Sequence, residues 1–175
     1  MPLPTQPLRD EHKELLPHIE SFCTVADSVG DVPIDRLRKD VDAVYDFLIR
    51  QLIPHAQAEE SALYPIVGRL LCTEDSTAPM RRDHTEIWKL TQELAPLRQQ
   101  LSQADAPTFK TLRRILYGLY TLVKVHFAKE EEIYLPLLDS RLSVEAVHQM
   151  IEQMEKAAQD AKSHLTHVHT QEGYL

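Results

Sequence analysis

Apolar residues along this chain recur three and four positions apart, strand-like alternation is absent, and only four glycines interrupt the pattern, so the sequence predicts helices throughout. A first helix is expected from about Arg9 to Val29, with Leu8, His12, Leu15 or Leu16, Ile19, Phe22 and Ala26 along its inner stripe. Gly30-Asp31-Val32-Pro33 ends it. A second begins near Pro33 or Ile34 and continues to about Leu71, its stripe passing through Val41, Tyr45, Leu48, Leu52, His55, Glu59 and Leu63. Pro54 and Pro65 fall inside that segment. Each removes a backbone hydrogen bond and crowds the preceding turn, so kinks are expected on either side of His55 and Glu59.

The polar run from Cys72 to Ala78 reads as a loop with Asp75 or Ser76 as a helix cap. The third helix then carries Met80, His84, Ile87, Thr91, Leu94 and Leu101 inward and bends at Pro96. Ala104-Asp105-Ala106-Pro107 breaks the chain. The fourth helix is expected from about Thr108 to Leu138 with Leu112, Leu116, Leu119, Val123, His126 and Glu130 inward, and Pro136 mirrors Pro65. After a turn at Asp139 to Ser143, with Ser143 as N-cap, the positions Val144, Val147, Ile151, Met154, Ala158, Ala161 and Leu165 predict a fifth, amphipathic helix lying against the rest. The fold class is all-α.

Six of these inward positions are polar. His55 opens His55-Ala56-Gln57-Ala58-Glu59-Glu60, and His126 opens His126-Phe127-Ala128-Lys129-Glu130-Glu131. A His and a Glu four positions apart on a helix lie about 40° apart on one face, so both reach one ion. Arg9-Asp10-Glu11-His12-Lys13-Glu14-Leu15 resembles Arg81-Arg82-Asp83-His84-Thr85-Glu86-Ile87, which places His12 and His84 at matching distances, 43 and 42 residues, before the two His-x-x-x-Glu phrases. Two helical hairpins packed together would bring four His and two Glu to one centre in near two-fold symmetry.

A single His on an apolar stripe is more often a satisfied core residue than a ligand. Two carboxylates and four imidazoles buried together need compensation worth several kcal/mol, and cations supply it where a metal-free hydrogen-bond network would have to pair every group. Nitrogen and carboxylate donors without thiolate suit Fe, Mn or Zn, and six groups exceed the needs of one tetrahedral zinc. Two ions fit: His12 and His55 on one, His84 and His126 on the other, Glu59 and Glu130 bridging. A bridging oxide or hydroxide would leave one vacancy on each ion, where dioxygen, peroxide or nitric oxide could bind.

Composition narrows the partners. At 175 residues the chain suits one domain with a sizeable core. Lys and Arg number 19 against 27 Asp and Glu, and no basic stripe interleaves with aromatics, which argues against a nucleic-acid groove or an anionic membrane surface. No charged segment followed by an apolar run opens the chain, and no stretch of about 18 apolar residues occurs, so a soluble, cytoplasmic protein is expected. Cys23 and Cys72 lie too far apart for a thiolate metal motif or a disulfide framework. His164, His167 and His169 read as solvated side chains of a polar tail.

Together, His12, Pro54-His55 with Glu59, Glu60 and Tyr64-Pro65, Asp83-His84, and His126 with Glu130 and Glu131 resemble the hemerythrin family of HHE cation-binding domains from about Leu8 to Leu138. The resemblance implies an up-down four-helix bundle over about residues 8–138, with the additional C-terminal helix, about 143–165, outside it but within the same single domain, 1–175. It also implies a non-haem di-iron centre, two iron ions with a bridging oxo or hydroxo group, and a small ligand such as O2, H2O2 or NO. The functions it suggests are binding of that ligand or reaction with it, or an iron- or oxygen-responsive interaction domain without turnover. No general base stands out to decide for an enzyme.

Two departures from the oxygen carriers of that family bear on function. The carriers have a second His on the third helix, whereas the positions four before and four after His84 are Met80 and Trp88. The symmetric ligand set that remains is expected to favour peroxide or nitric oxide chemistry over reversible oxygen carriage. The carriers also place the last carboxylate five residues after the fourth-helix His. Here Glu130 and Glu131 fill both places, and helical phase puts Glu130 about 40° and Glu131 about 140° from His126, which selects Glu130 and leaves Glu60 and Glu131 toward solvent or behind the ligands. Tyr45, the phenol on the second helix's core stripe, is expected to pack rather than to ligate.

Overall fold

The computed structural model describes residues 3–171, with the side chains of Glu74 and of residues 164–171 excepted. The reading of His164, His167, His169 and Leu165 therefore lies outside the described side chains. Helix α1 spans Gln6–Ser28 and starts earlier than the apolar pattern suggested. Its start is tied to the last turns of the fourth bundle helix: Thr5 donates from both N and Oγ1 to the Asp139 carboxylate, each at 2.9 Å, and Arg9 reaches Asp139 and Glu131. The turn after α1 needs a left-handed residue, and Gly30 supplies it with φ +87°.

Helix α2 runs over residues 34–70 without a break in helical backbone, but it is not uniform. Two wide turns closed by i→i+5 hydrogen bonds, Leu48–Leu52 and Glu59–Leu63, alternate with α-helical stretches that carry Pro54 and Pro65 in their first turns. The cause is local. A proline cannot donate to the carbonyl four residues back and collides with it, and those carbonyls belong to Arg50 and Ser61, inside the wide turns. Expected kinks are thus realised as underwound turns. Helix α4, residues 106–141, repeats the device: Glu130–Tyr134 is wide, and Pro136 follows.

Helix α3, Ala78–Gln100, continues through Pro96. Neither Asp75 nor Ser76 caps it. Glu74–Thr77 forms a tight 3₁₀ turn in which Ser76 Oγ donates back to the Thr73 carbonyl at 2.8 Å, and Thr77 takes the N-cap place without a side-chain bond. Of the other two caps, Ser143 was expected, whereas Asp105 lies in the segment read only as a chain break. Asp105 accepts from Thr108 N at 2.9 Å to open α4, and Ser143 Oγ accepts from Ala146 N at 3.2 Å to open α5, Val144–Gln171.

Short connections make α1 to α4 an up-down bundle. Helix α1 packs on α2 and α4, α3 packs on the same two, and α5 lies along α2 over Ile53–Leu63 through Val147, Met150 and Met154. The architecture is all-α, a bundle plus one extra helix. Its interior holds two apolar clusters. One is centred on Ile19, Phe22, Leu48, Leu94 and Leu116; the other on Leu8, Leu63, Tyr64, Met80, Leu138 and Met150. Each of the four bundle helices passes from one cluster to the other through a buried polar step: His12 between Leu8 and Leu15, His55 and Glu59 beyond Ile53, His84 between Met80 and Ile87, and His126 and Glu130 between Val123 and Leu135. Among the described residues, no helix is long and apolar enough to cross a membrane.

Candidate metal centre

The six predicted side chains meet in that step, and all are buried. Two overlapping groups have donor atoms close enough to share an ion: His12, His55, Glu59 and Glu130, and Glu59, His84 and His126. The carboxylates lie between the imidazole pairs. Glu59 Oε1 is 2.9 Å from His55 Nε2 and 4.0 Å from His12 Nε2, while its Oε2 is 3.2 Å from His84 Nε2 and 3.8 Å from His126 Nε2. Glu130 meets one ring of each pair, with Oε1 3.5 Å from His126 Nε2 and Oε2 3.6 Å from His12 Nε2. Each carboxylate thus turns one oxygen to each pair.

Every imidazole turns Nε2 inward because a carboxylate holds its Nδ1. Glu131 accepts from His12 at 2.8 Å, Glu11 from His55 at 3.1 Å, Glu60 from His84 at 2.8 Å and Asp83 from His126 at 3.2 Å. The arrangement obeys the internal repeat. The acid before the first His of each half (Glu11, Asp83) serves the second His of that half, and the acid after each inner Glu (Glu60, Glu131) serves the first His of the other half. Glu60 and Glu131, expected toward solvent or behind the ligands, are partly exposed and reach the rings from behind. Glu11 and Asp83 appear in the sequence only within the repeated phrases, with no part assigned toward the rings, although each directly precedes a singled-out His, and that adjacency was the available signal.

With Nδ1 donating outward, each neutral imidazole presents a lone pair at Nε2. Four such lone pairs and four carboxylate oxygens then face one another, and His84 Nε2 and His126 Nε2 are only 3.0 Å apart. His55 Nε2, Glu59 Oε2 and Glu130 Oε2 are buried and without any hydrogen-bond partner. Acceptors crowded in this way need a proton or a metal ion between them. The residues therefore fit a metal centre.

The titration of the cation-free site expresses the same tension. Burial would keep Glu59 neutral, yet His55, His126 and His84 around it hold its pKa well below the usual carboxylate range. Burial and the Glu59 charge push Glu130 the other way, to about 8. Burial works against charge on His126 as well, but Asp83, Glu59 and Glu130 raise it to about 9. His12 is lowered by burial and by the His55 charge. Protons substitute imperfectly for cations here.

Tyr64, quoted in the sequence only within the phrase that carries the resemblance, joins the site as well. Tyr64, fully buried, lies with Oη 3.3 Å from both His84 Nε2 and His126 Nε2, and donates to Glu130 Oε1 at 3.0 Å. Ideal helical phase hides it, because five residues place it about 140° from Glu59. The wide turn Glu59–Leu63 lies between the two and rotates it back toward the same face. Tyr45 behaves as expected: it is buried in the other cluster, under the Arg98 guanidinium at 4.1 Å. Met80 is buried below the site, and Trp88 is exposed at the surface.

Two surface clefts approach the centre. One of about 420 Å³, between α1 and α5, reaches His55 past Leu8, Glu11, Glu14, Ile151 and Met154. The other, of about 810 Å³, ends on Tyr64 and is lined by Pro65, Gly68, Arg69, Thr73 and Arg81. Cys72, the one non-glycine with positive φ among the described residues, lines it too and is a free thiol.

No curated protein and no solved structure matches the chain significantly. The model of the hemerythrin HHE cation binding domain matches residues 3–138, with a second, overlapping match over 89–172. The repeated His and His-x-x-x-Glu-Glu phrases, the helical bundle and the buried His/Glu cluster all lie within the first match, and the chain belongs to the hemerythrin HHE cation-binding domain family.

Proposed function

We propose that this chain is a non-haem di-iron protein that binds or reacts with dioxygen, peroxide or nitric oxide. The observation that carries the reading is the inward crowding of unpaired acceptors, with two carboxylates each turned to both imidazole pairs. In this reading His12 and His55 would hold one ion and His84 and His126 the other, Glu59 and Glu130 would be shared between them, and an oxo or hydroxo group would accompany the irons. Iron held there would supply open coordination positions and the electrons for small-ligand chemistry.

The chain's own residues do the rest. Glu131, Glu11, Glu60 and Asp83 fix the imidazole tautomers and ring orientations, so little reorganisation accompanies metal binding. Phe127, stacked on His12 with ring centroids 4.2 Å apart, and Tyr64, stacked on His84 at 5.5 Å, keep the centre dry. The clefts admit ligands of a few atoms. Anaerobic loading with ferrous iron, metal analysis and re-oxidation test the reading: two irons per chain with the near-ultraviolet absorption of an oxo-bridged diferric pair support it. Colourless protein holding zinc in preference to iron would overturn it. Peroxide loss and nitric oxide consumption, measured against His126→Ala, then separate reaction from binding.

A second reading, an iron- or oxygen-responsive interaction domain, draws on the packing of α5 against Ile53–Leu63, the stretch of α2 that carries His55 and Glu59. Metal loading that orders this stretch would be felt by α5. Hydrogen exchange with and without iron checks it, since equal protection of α5 in both states would remove its basis.

A further inference from the structure

We propose that Tyr64 is an oxygen ligand of the ion held by His84 and His126, and that the ion held by His12 and His55 has no counterpart, so the two metal positions are chemically distinct. The inference rests on the metal centre proposed above and concerns this chain's own departure from its two-fold repeat. Ligand atoms about 2.0–2.2 Å from a shared ion stand roughly 3.0–3.5 Å from one another. Tyr64 Oη meets that condition three times, at 3.3 Å from His84 Nε2, 3.3 Å from His126 Nε2 and 3.0 Å from Glu130 Oε1. With the two nitrogens 3.0 Å apart and Glu130 Oε1 3.5 Å from His126 Nε2, Oη is spaced as a coordination-shell neighbour of each of these three atoms. The phenol is buried, and its ring is held nearly parallel to that of His84, 19° between planes, so Oη has little freedom to leave.

The other half of the repeat lacks the group. Glu59 and Glu130 align, as do Pro65 and Pro136 six residues later, and the residue aligned with Tyr64 is Leu135. The nearby Tyr134 is one position earlier, and its Oη donates away from the centre to the Ser76 carbonyl at 3.0 Å. The ring stacked on His12 is Phe127, which offers no oxygen. Leucine and phenylalanine thus stand on one side where a phenol stands on the other. On ligation the Oη–H bond breaks, the Oη–metal bond forms, and the proton leaves to solvent, with no change of oxidation state.

A phenolate on ferric iron has a visible charge-transfer absorption that imidazole, carboxylate and oxo ligands do not reproduce. The whole chain should be loaded with ferrous iron, oxidised with ferricyanide, and compared with Tyr64→Phe by metal content, visible absorption and resonance Raman scattering at tyrosinate ring modes. The expected result is two irons per chain in both proteins, with the visible band and ring modes in the wild type and their complete loss in Tyr64→Phe. Two irons with an oxo-bridge absorption but no phenolate band in the wild type would overturn this proposal and leave the metal centre standing. No bound iron would overturn both. Should Tyr64→Phe fail to hold iron, the wild-type protein carrying ring-deuterated tyrosine decides: isotope-shifted modes that persist in Tyr134→Phe and Tyr45→Phe support ligation by Tyr64, and unshifted modes overturn it.

Discussion

Around His12 and His55 the covering ring is Phe127 and the cleft outside is acidic, with Asp10, Glu11, Glu14 and Glu155; around His84 and His126 the covering ring is Tyr64 and the cleft presents Arg69 and Arg81. The inner parts are nearly the same on both sides, with two imidazoles, a Glu59 oxygen and an acid on every Nδ1, while Glu130 groups with His12 and His55 and meets His126 alone on the other side. The contrast teaches where a duplicated hairpin is constrained. Positions that face the centre through ideal helical phase are kept alike by the need to neutralise one another. Positions brought in by the wide turns, such as residues 64 and 135, are free to diverge, and they make one side polar and the other apolar.

Glu59 and Glu130 face rings of both imidazole pairs, so their removal should have the largest effect. Glu59→Gln and Glu130→Gln should each lower bound iron from two per chain to about one or fewer, by metal analysis after gel filtration. Their metal-free stabilities should differ. Glu130, pushed up to about 8, is already protonated at neutral pH, and glutamine copies its shape and neutrality, so Glu130→Gln should unfold in urea close to wild type. Glu59 is held ionised by His55, His126 and His84, and Glu59→Gln leaves those imidazoles without their counter-charge. Equal destabilisation by the two variants would sink this division of charge.

Next in size are the outer acids, and here the two sides should separate. Asp83 is mostly buried and is held on His126 by Lys129 at 2.6 Å, whereas the Glu11 side chain on His55 is 47% exposed. Loss of such an orienting group weakens metal affinity by about 10–100-fold, with the better-buried group at the upper end. Competition with a chelator should therefore rank Asp83→Asn as more damaging than Glu11→Gln, and the reverse order would show that burial does not govern these contacts.

A smaller effect follows from protons standing in for cations. His126 rises from 6.5 to about 9 and Glu130 from 4.5 to about 8, so in the metal-free protein both hold protons more tightly folded than unfolded. The stabilisation from His126 is complete below pH 6.5 and is lost as pH climbs through about 9; that from Glu130 is lost by about pH 8. Glu59, depressed, acts only below 4.5, where its contribution disappears as pH falls. Metal-free protein should thus melt at progressively lower temperature between pH 7 and 9. Iron-loaded protein should not, because ligands that have lost protons bind metal better. A flat metal-free profile over that range would mean the site is not protonated as its geometry requires.

Much of this was legible in the chain because helical phase is a strong rule. Spacing alone brought His12, His55, Glu59, His84, His126 and Glu130 together, and the apolar stripes gave the five helices. What escaped obeys other rules. Underwound turns hold Arg50, Ser61 and Glu132, each four residues before a proline, and ideal phase at 100° per residue then points Tyr64 away from a site it lines. The Asp75 or Ser76 cap failed because a 3₁₀ turn used the Ser76 hydroxyl locally. Glu11 and Asp83 were invisible as partners because their targets, His55 and His126, lie on neighbouring helices more than 40 residues away, and single-helix periodicity carries no record of that pairing.

The smallest expected effect isolates the phenols. Tyr64 and Tyr134 both follow an inner Glu within a turn and both are buried, yet only Tyr64 directs its hydroxyl at the centre. Tyr134→Phe removes one hydrogen bond, to a loop carbonyl at the partly buried edge of the second apolar cluster, and should cost about 1 kcal/mol or less in urea unfolding. Its ring packing is retained, so iron content and the visible spectrum should stay at wild-type values. Loss of the visible band in Tyr134→Phe, with retention in Tyr64→Phe, would reassign the phenolate to Tyr134. Loss in neither would make the two sides electronically alike despite their different walls.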